Sequence, residues 1–325
     1  MAENNVVQVD EKEILNWVEN GLPKTCTVVE KTDDKEVYIV GTAHFSKESQ
    51  EDVARVIQLI QPHVVFLELC SGRLGILEYS EEQMMQEATD ISFQKIQESV
   101  RIHGAAHGIL RAMLMNLSAK LTQQLGMAPG GEFRRAFSEA QRIPHCKVVY
   151  GDRPISITLK RAIGSLTLVQ KIKFAWHMIT SDTDLSLEDI EKCKEKDILE
   201  QMLADMASEF PSLNNVFVTE RDIYLANSLK RSSRISLGPI GTYTKPIKVV
   251  AVLGIGHVNG VVANWDKDLE GKAQEVMKIP QPSIVGRLLG VAIKGAIVAG
   301  GVYATYRIGK VSYNLVNKLL SKYVK

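Results

Sequence analysis

The sequence predicts an α/β fold: a mostly parallel central sheet of about four core strands, a large helical insertion and a C-terminal membrane-anchor helix. Three observations carry this expectation. Four short apolar runs rich in β-branched residues are too continuous for strands with one wet face, so they read as buried parallel strands. Stretches of helical periodicity separate them. A low-charge apolar run, 284–306, then closes an otherwise ordinary composition of 45% apolar and 24% charged residues.

In chain order, the first strand is Val37-Tyr-Ile-Val-Gly41. A helix follows, with Val53, Val56, Ile57 and Ile60 at three- and four-residue spacing, and Pro62 marks the turn into the second strand, His63-Val-Val-Phe-Leu-Glu68. This strand–helix–strand unit implies a parallel pair with a right-handed crossover. Residues 80–143 are patterned as helix almost throughout, with a break at Gly126-Met-Ala-Pro-Gly-Gly131. The third strand is Lys147-Val-Val-Tyr-Gly151. Helices are expected over 156–180, over 186–209 with Ser186-Leu-Glu-Asp189 as a capping start, and over 219–231. A basic Ser/Gly/Thr-rich loop then leads to the fourth strand, Lys248-Val-Val-Ala-Val-Leu-Gly254. The expected organisation is an N-terminal segment 1–33, an α/β domain 34–270 with an insertion at about 80–145, a linker 271–283 and a tail 284–325.

The net charge of +1 is unevenly placed. From Gln281 onward there is no acid and seven Lys or Arg, so the tail carries +7 and the preceding residues −6. That argues against nucleic acid as a partner of the body. Cys26, Cys70, Cys146 and Cys193 are scattered without a C-x-x-C pair, and the N-terminus lacks a basic and apolar leader. Free thiols in a reducing compartment are the simplest reading, with Cys70 a buried structural thiol.

The strands end in Gly41-Thr-Ala-His44, Glu68-Leu-Cys-Ser-Gly-Arg73, Gly151-Asp-Arg-Pro154 and Gly254-Ile-Gly-His257. In a parallel sheet these ends share one edge, where open α/β folds place their ligands. His44, Glu68 and His257 there fit a His₂-carboxylate site for a divalent metal such as zinc, manganese or cobalt. They fit equally a metal-free acid/base set whose arginines hold an anionic ligand, or a structural cluster.

These residues, with Pro129-Gly-Gly-Glu-Phe-Arg134, Thr158, Arg161, Glu220-Arg-Asp222 and Val250-Ala-Val-Leu-Gly-Ile-Gly-His-Val258, form an ordered motif series across about 37–262 that resembles the TraB/PrgY family. The resemblance implies a superfamily that includes Tiki proteins, described as metal-dependent proteases, and the erythromycin-esterase/ChaN-like proteins. PrgY is described as reducing peptide-pheromone activity, by sequestration in one view. On that analogy His44, Glu68 and His257 are the metal positions, Glu132 is a base, Arg73 and Arg153 orient substrate, and Arg221 joins the catalytic set. The function implied is a membrane-tethered metal-dependent hydrolase acting on a peptide or small anionic ligand. The alternative is a non-catalytic module, a tether or sequestering protein, that binds a peptide or partner at an organelle membrane.

Blander roles compete for several of these residues. Arg73 and Arg153 also suit neutralisation of Glu68 and Asp152. Asp152 before Pro154, and Thr219 with Asp222 three residues on, suit helix starts, and Glu132 suits a first-turn acid. His103 and His107 share a helix face but lack the acid of H-E-x-x-H, so packing is the expected role.

In the tail, Leu288 to Tyr306 contains seven Leu, Ile or Val and one charge, Lys294. Insertion gains about 2–4 kcal/mol from those seven, against a cost of roughly 2.5–3.5 for the lysine. Ala292, Ala296, Gly300 and Ala304 make a small-residue stripe suited to close helix pairing and hence to a homo-oligomer. The basic flank 307–325 suits anionic membrane lipid. The expectation is a tail-anchored, cytosol-facing protein, with the mitochondrial outer membrane as the favoured site. A tail packed on the body is the soluble alternative.

Overall fold

A computed structural model of the chain describes residues 21–43, 46–79, 83, 129–167, 169–171, 173, 211–234 and 246–280. Five strands form one sheet in the order β1-β2-β5-β3-β4. They are β1 (Cys26–Lys31), β2 (Lys35–Thr42), β3 (Val64–Leu67), β4 (Lys147–Tyr150) and β5 (Ile247–Gly254). The four predicted strands are β2 to β5, and they are mutually parallel. Sequence reasoning missed β1, an antiparallel edge strand on β2 whose side chains are at most half-buried. It also paired the wrong strands: β5 inserts between β2 and β3, so the expected neighbours are one strand apart. Hydrophobic runs specify burial, and strand order comes from the crossovers.

The central strands are apolar on both faces because each face is covered. Val37, Ile39, Val64, Phe66, Val249, Ala251 and Leu253 point to one side. There they pack on α4 (Glu220–Ser232) and α5 (Ile255–Ala263) through Leu225, Leu229, Val258 and Val261. The alternate residues Tyr38, Val40, Val65, Leu67, Val250 and Val252 meet α1 (Lys47–Ile60) and α2 (Gly131–Arg142). The two-residue period of a strand thus assigns each residue to a layer. Helix α1 opens with Ser46, whose hydroxyl accepts from Ser49 N at 3.1 Å, and it ends at left-handed Gln61 before Pro62. Gly151, after β4, lies so close to Phe66 that an added Cβ would sit 1.9 Å from the ring.

Helix α3 (Ile155–Ser165) begins directly after Pro154. The stretch from Pro211 is helical without a break: α over Pro211–Asn214, π over Asn215–Thr219, then α4. Thr219 is therefore inside a helix and caps nothing, contrary to expectation. The expected linker is helical over Glu270–Met277, which forms α6 with Ala273 and Val276 buried. Among the described residues no helix is long and apolar enough to cross a membrane. The expected tail anchor, the insertion before 129 and the helix over 186–209 lie outside the described residues, as do His44, His103, His107 and Cys193.

Candidate active site at the carboxyl edge

Glu68 follows β3 immediately and is pinned at both ends. Its backbone N–H donates to Val252 O at 3.1 Å, and its Oε2 accepts from Gly254 N at 2.7 Å. The second bond works because Gly254 ends β5, the strand beside β3, and its amide faces the same crevice. Three residues on, His257 lies buried in the first turn of α5. Its Nδ1 is 2.6 Å from Asp222 Oδ1, and its Nε2 is 3.5 Å from Glu68 Oε1. Two of the three expected metal donors, parted by 189 positions, are thus brought together.

Arg221 fixes the tautomer of that histidine. Its Nη1 lies 2.9 Å from His257 Nε2. A guanidinium only donates, so Nε2 accepts and carries a lone pair, and the ring proton sits on Nδ1, facing the Asp222 carboxylate. Arg221 also grips Asp152, Nε to Oδ1 at 3.1 Å and Nη2 to Oδ2 at 3.0 Å, and donates to Glu68 Oε1. Burial opposes the guanidinium charge, but Asp152 and Glu68 outweigh it and hold the pKa above the ordinary arginine value. Burial likewise pushes the Asp222 carboxyl up, against the opposing pull of His257 and Arg221. Helices α4 and α5 approach so closely here that a Cβ on Gly260 would meet Asp222 Oδ2 at 2.0 Å.

Asp152 is not the helix cap that the sequence suggested. Helix α3 has no side-chain cap, and Asp152 instead accepts from Arg221, from Arg73 Nη2 at 2.5 Å and from the backbone N–H of Arg153 at 2.7 Å. Arg73 also donates to Glu68 O at 2.9 Å, and 28% of its side chain remains exposed. It neutralises Asp152 and still presents a face to the crevice.

Arg153, expected to orient substrate, is wholly buried in a different network. Nε donates to Thr158 Oγ1 (3.0 Å), Nη1 to Glu220 Oε2 (2.7 Å) and Val276 O (3.1 Å), and Nη2 to Val216 O (2.8 Å). Arg161 completes the network, bidentate to Glu220 at 2.6 Å for both bonds. Glu220 feels burial raising its pKa, but the hydrogen bonds from Arg161 and Arg153 prevail and depress it. Arg153 and Arg161 therefore anchor α6 and the helical stretch around Val216.

Glu132 is buried in the first turn of α2. That helix leads into β4, so its first turn lies at the same edge as Glu68. Cys70 is buried near the site, as expected of a structural thiol. Asp222 is the functional candidate that sequence reasoning missed as a histidine partner. Its adjacency to Arg221 in Glu220-Arg-Asp222 was the available signal.

Metal ligation needs a deprotonated imidazole nitrogen, and Nε2 of His257 is one, with the proton on the opposite nitrogen held by a carboxylate. Two donors sharing a tetrahedral ion at about 2.1 Å each stand roughly 3.4 Å apart, and Nε2 and Glu68 Oε1 match that spacing. The residues present fit a metal as a two-donor half-site. Among the described residues no third His, Cys, Asp or Glu completes a ligating group.

A sequence model of the TraB/PrgY/gumN family matches residues 26–268, from the start of β1 to the residues before α6. The chain is 45% identical over 303 residues to a TraB domain-containing protein of Mus musculus, covering 92% of this chain and 80% of that protein. The Homo sapiens TraB domain-containing protein is 43% identical over 303 residues, with the same coverages. An uncharacterized protein of Methanocaldococcus jannaschii is 27% identical over 252 residues, 75% of this chain and 57% of the other.

Proposed function

The chain belongs to the TraB/PrgY/gumN family, and from that premise we propose that the carboxyl edge of its sheet is the site of a divalent-metal-dependent hydrolase acting on peptides. The observation that carries this reading is the locked tautomer of His257, whose Nε2 lone pair faces Glu68 Oε1 at 3.5 Å. His257, Glu68 and His44 would hold the ion. A bound zinc, manganese or cobalt ion supplies Lewis acidity and lowers the pKa of a coordinated water. Asp222 keeps Nε2 free for ligation, and Gly254 N fixes the Glu68 carboxylate. Arg73, the more exposed arginine of the cluster, orients a substrate carbonyl or carboxylate. Glu132, at the same edge, is the candidate proton acceptor. The apolar run 284–306 and its basic flank tether the body to a membrane facing the cytosol, with the mitochondrial outer membrane as the favoured site and the small-residue stripe as a route to self-association.

A second reading has its own observation. Arg221 already supplies a cation to Glu68, Asp152 and His257, which satisfies them without a metal. In that reading the crevice binds a peptide or partner stoichiometrically at its membrane.

Metal content of the purified full-length protein, after exposure to zinc, manganese and cobalt in turn, separates the two. Near-stoichiometric metal in the wild type, lost in folded His44→Ala and His257→Ala variants, is the expected result. A wild type that stays metal-free through all three exposures removes the hydrolase reading and leaves the binding module.

A further inference from the structure

We propose that the cavity beside α4 is a subsite for a carboxylate of a bound peptide chain, leading from the Glu68–His257 crevice. The cavity holds about 400 Å³ and is lined by Tyr224, Asn227, Ser228, Arg231 and Ser232. That volume is in the range of ligand pockets, roughly 300–1,000 Å³. Residues 221, 224, 228 and 231 recur at three- and four-residue steps, so they form one stripe along the helix. The stripe begins at Arg221 inside the crevice. The opposite face, Leu225, Ala226 and Leu229, is buried in the core. Tyr224 joins the two ends: burial first, then the Asp152 carboxylate, pushes its hydroxyl pKa up, while Arg231 opposes. It therefore lies within electrostatic reach of both Asp152 and Arg231.

The polar groups of this stripe are available. Among the described residues no hydrogen bond or ion pair engages the side-chain heads of Tyr224, Asn227, Ser228 or Arg231. An amide side chain both donates and accepts, as a peptide group requires, and the hydroxyls serve either way. Arg231 is exposed at the far end, and its planar fork matches a carboxylate. Ten helical residues separate it from Arg221, about 15 Å at 1.5 Å per residue. An extended chain advances about 3.3 Å per residue. A carboxylate on Arg231 thus sets a peptide bond about four to five residues away against Glu68 and His257. The inference rests on the reading that the crevice takes peptides, and it does not require catalysis.

The test uses the full-length protein and a fluorescein-labelled pool of random hexapeptides, prepared as free acids, as C-terminal amides, and as amides with glutamate fixed at the last position. Fluorescence polarisation should show the acids binding roughly tenfold to a hundredfold more tightly than the amides, the value of one charge-assisted hydrogen bond. Arg231→Gln should abolish that preference, and Asn227→Ala should weaken all pools together. Recovery by the glutamate-ending amides assigns the carboxylate to a side chain; no recovery assigns it to a C-terminus. Failure of every pool to bind, equal binding of all three, or a preference that survives Arg231→Gln overturns the proposal. Preferential binding without cleavage keeps the subsite and removes the hydrolase reading. Cleavage without preference does the reverse.

Discussion

Asp222 Oδ1 and His257 Nδ1 lie 2.6 Å apart, and this one contact ties the first turn of α5 to the first turn of α4. The carboxylate holds the ring proton on the side away from Glu68. It can approach because the next turn of α5 presents Gly260, where any side chain would strike Asp222.

Breaking that contact should lower metal affinity before it lowers stability. Asp222→Asn keeps the shape and removes the charge, and it should weaken divalent-metal binding about 10–100-fold in titration calorimetry. Gly260→Ala should cause the same loss by displacing Asp222, with a further destabilisation of about 1–3 kcal/mol in urea melts. Unchanged metal affinity in both variants would show that Asp222 does not position His257 for ligation.

Arg153 should matter to the fold far more than to ligand binding. Arg153→Met leaves Val216 O and Val276 O without their donor and Glu220 with one arginine in place of two. The expected cost is about 3–5 kcal/mol, as for removal of one partner from a buried ion pair. Arg161→Met, at a partly exposed position, should cost less. Urea midpoints that rank the two variants in the opposite order would contradict the anchoring role.

Glu220 gives this network a pH signature. Its folded-state pKa is depressed below the ordinary value near 4.5, so the unfolded chain binds this proton more readily. The stabilisation is fully present above that ordinary value and is lost as pH falls through the depressed folded one. Thermal melts should show the gap between wild type and Glu220→Gln flat above about pH 6 and closing below pH 4.5. A gap independent of pH would mean that the carboxylate charge is not what stabilises.

The four parallel strands were legible because each is a short β-branched run buried on both faces, a pattern that solvent-facing segments do not share. β1, Cys-Thr-Val-Val-Glu-Lys, was not, because its half-exposed edge pattern carries too few apolar positions to stand out. The insertion of β5 between β2 and β3 was invisible because adjacency is decided by packing between distant segments. Glu68, His257, Arg73 and Arg221 could be picked out, since they follow strand ends or sit in a short charged motif. Their partners could not. Asp152 read as a cap because an acid two residues before Pro154 favours that local role, and the arginines that claim it instead come from 79 and 69 positions away. Arg153 read as a substrate clamp because its neighbour is at the edge, whereas its own side chain runs into the core.

The π-turn at Asn215–Thr219 sets the rotational phase between two halves of one helical stretch. Upstream, Leu213 and Val216 pack on α3 through Ala162 and Leu166. Downstream, Glu220, Arg221 and Asp222 address the anchor, the crevice and the histidine in turn. Deleting one residue within the turn restores ordinary α-helix and rotates everything after it by about 100°. All three charged side chains would then miss their targets together. A single-residue gap at this point in a relative's sequence is therefore a marker, readable without a structure, that sorts homologues lacking the charged cluster from those that retain it.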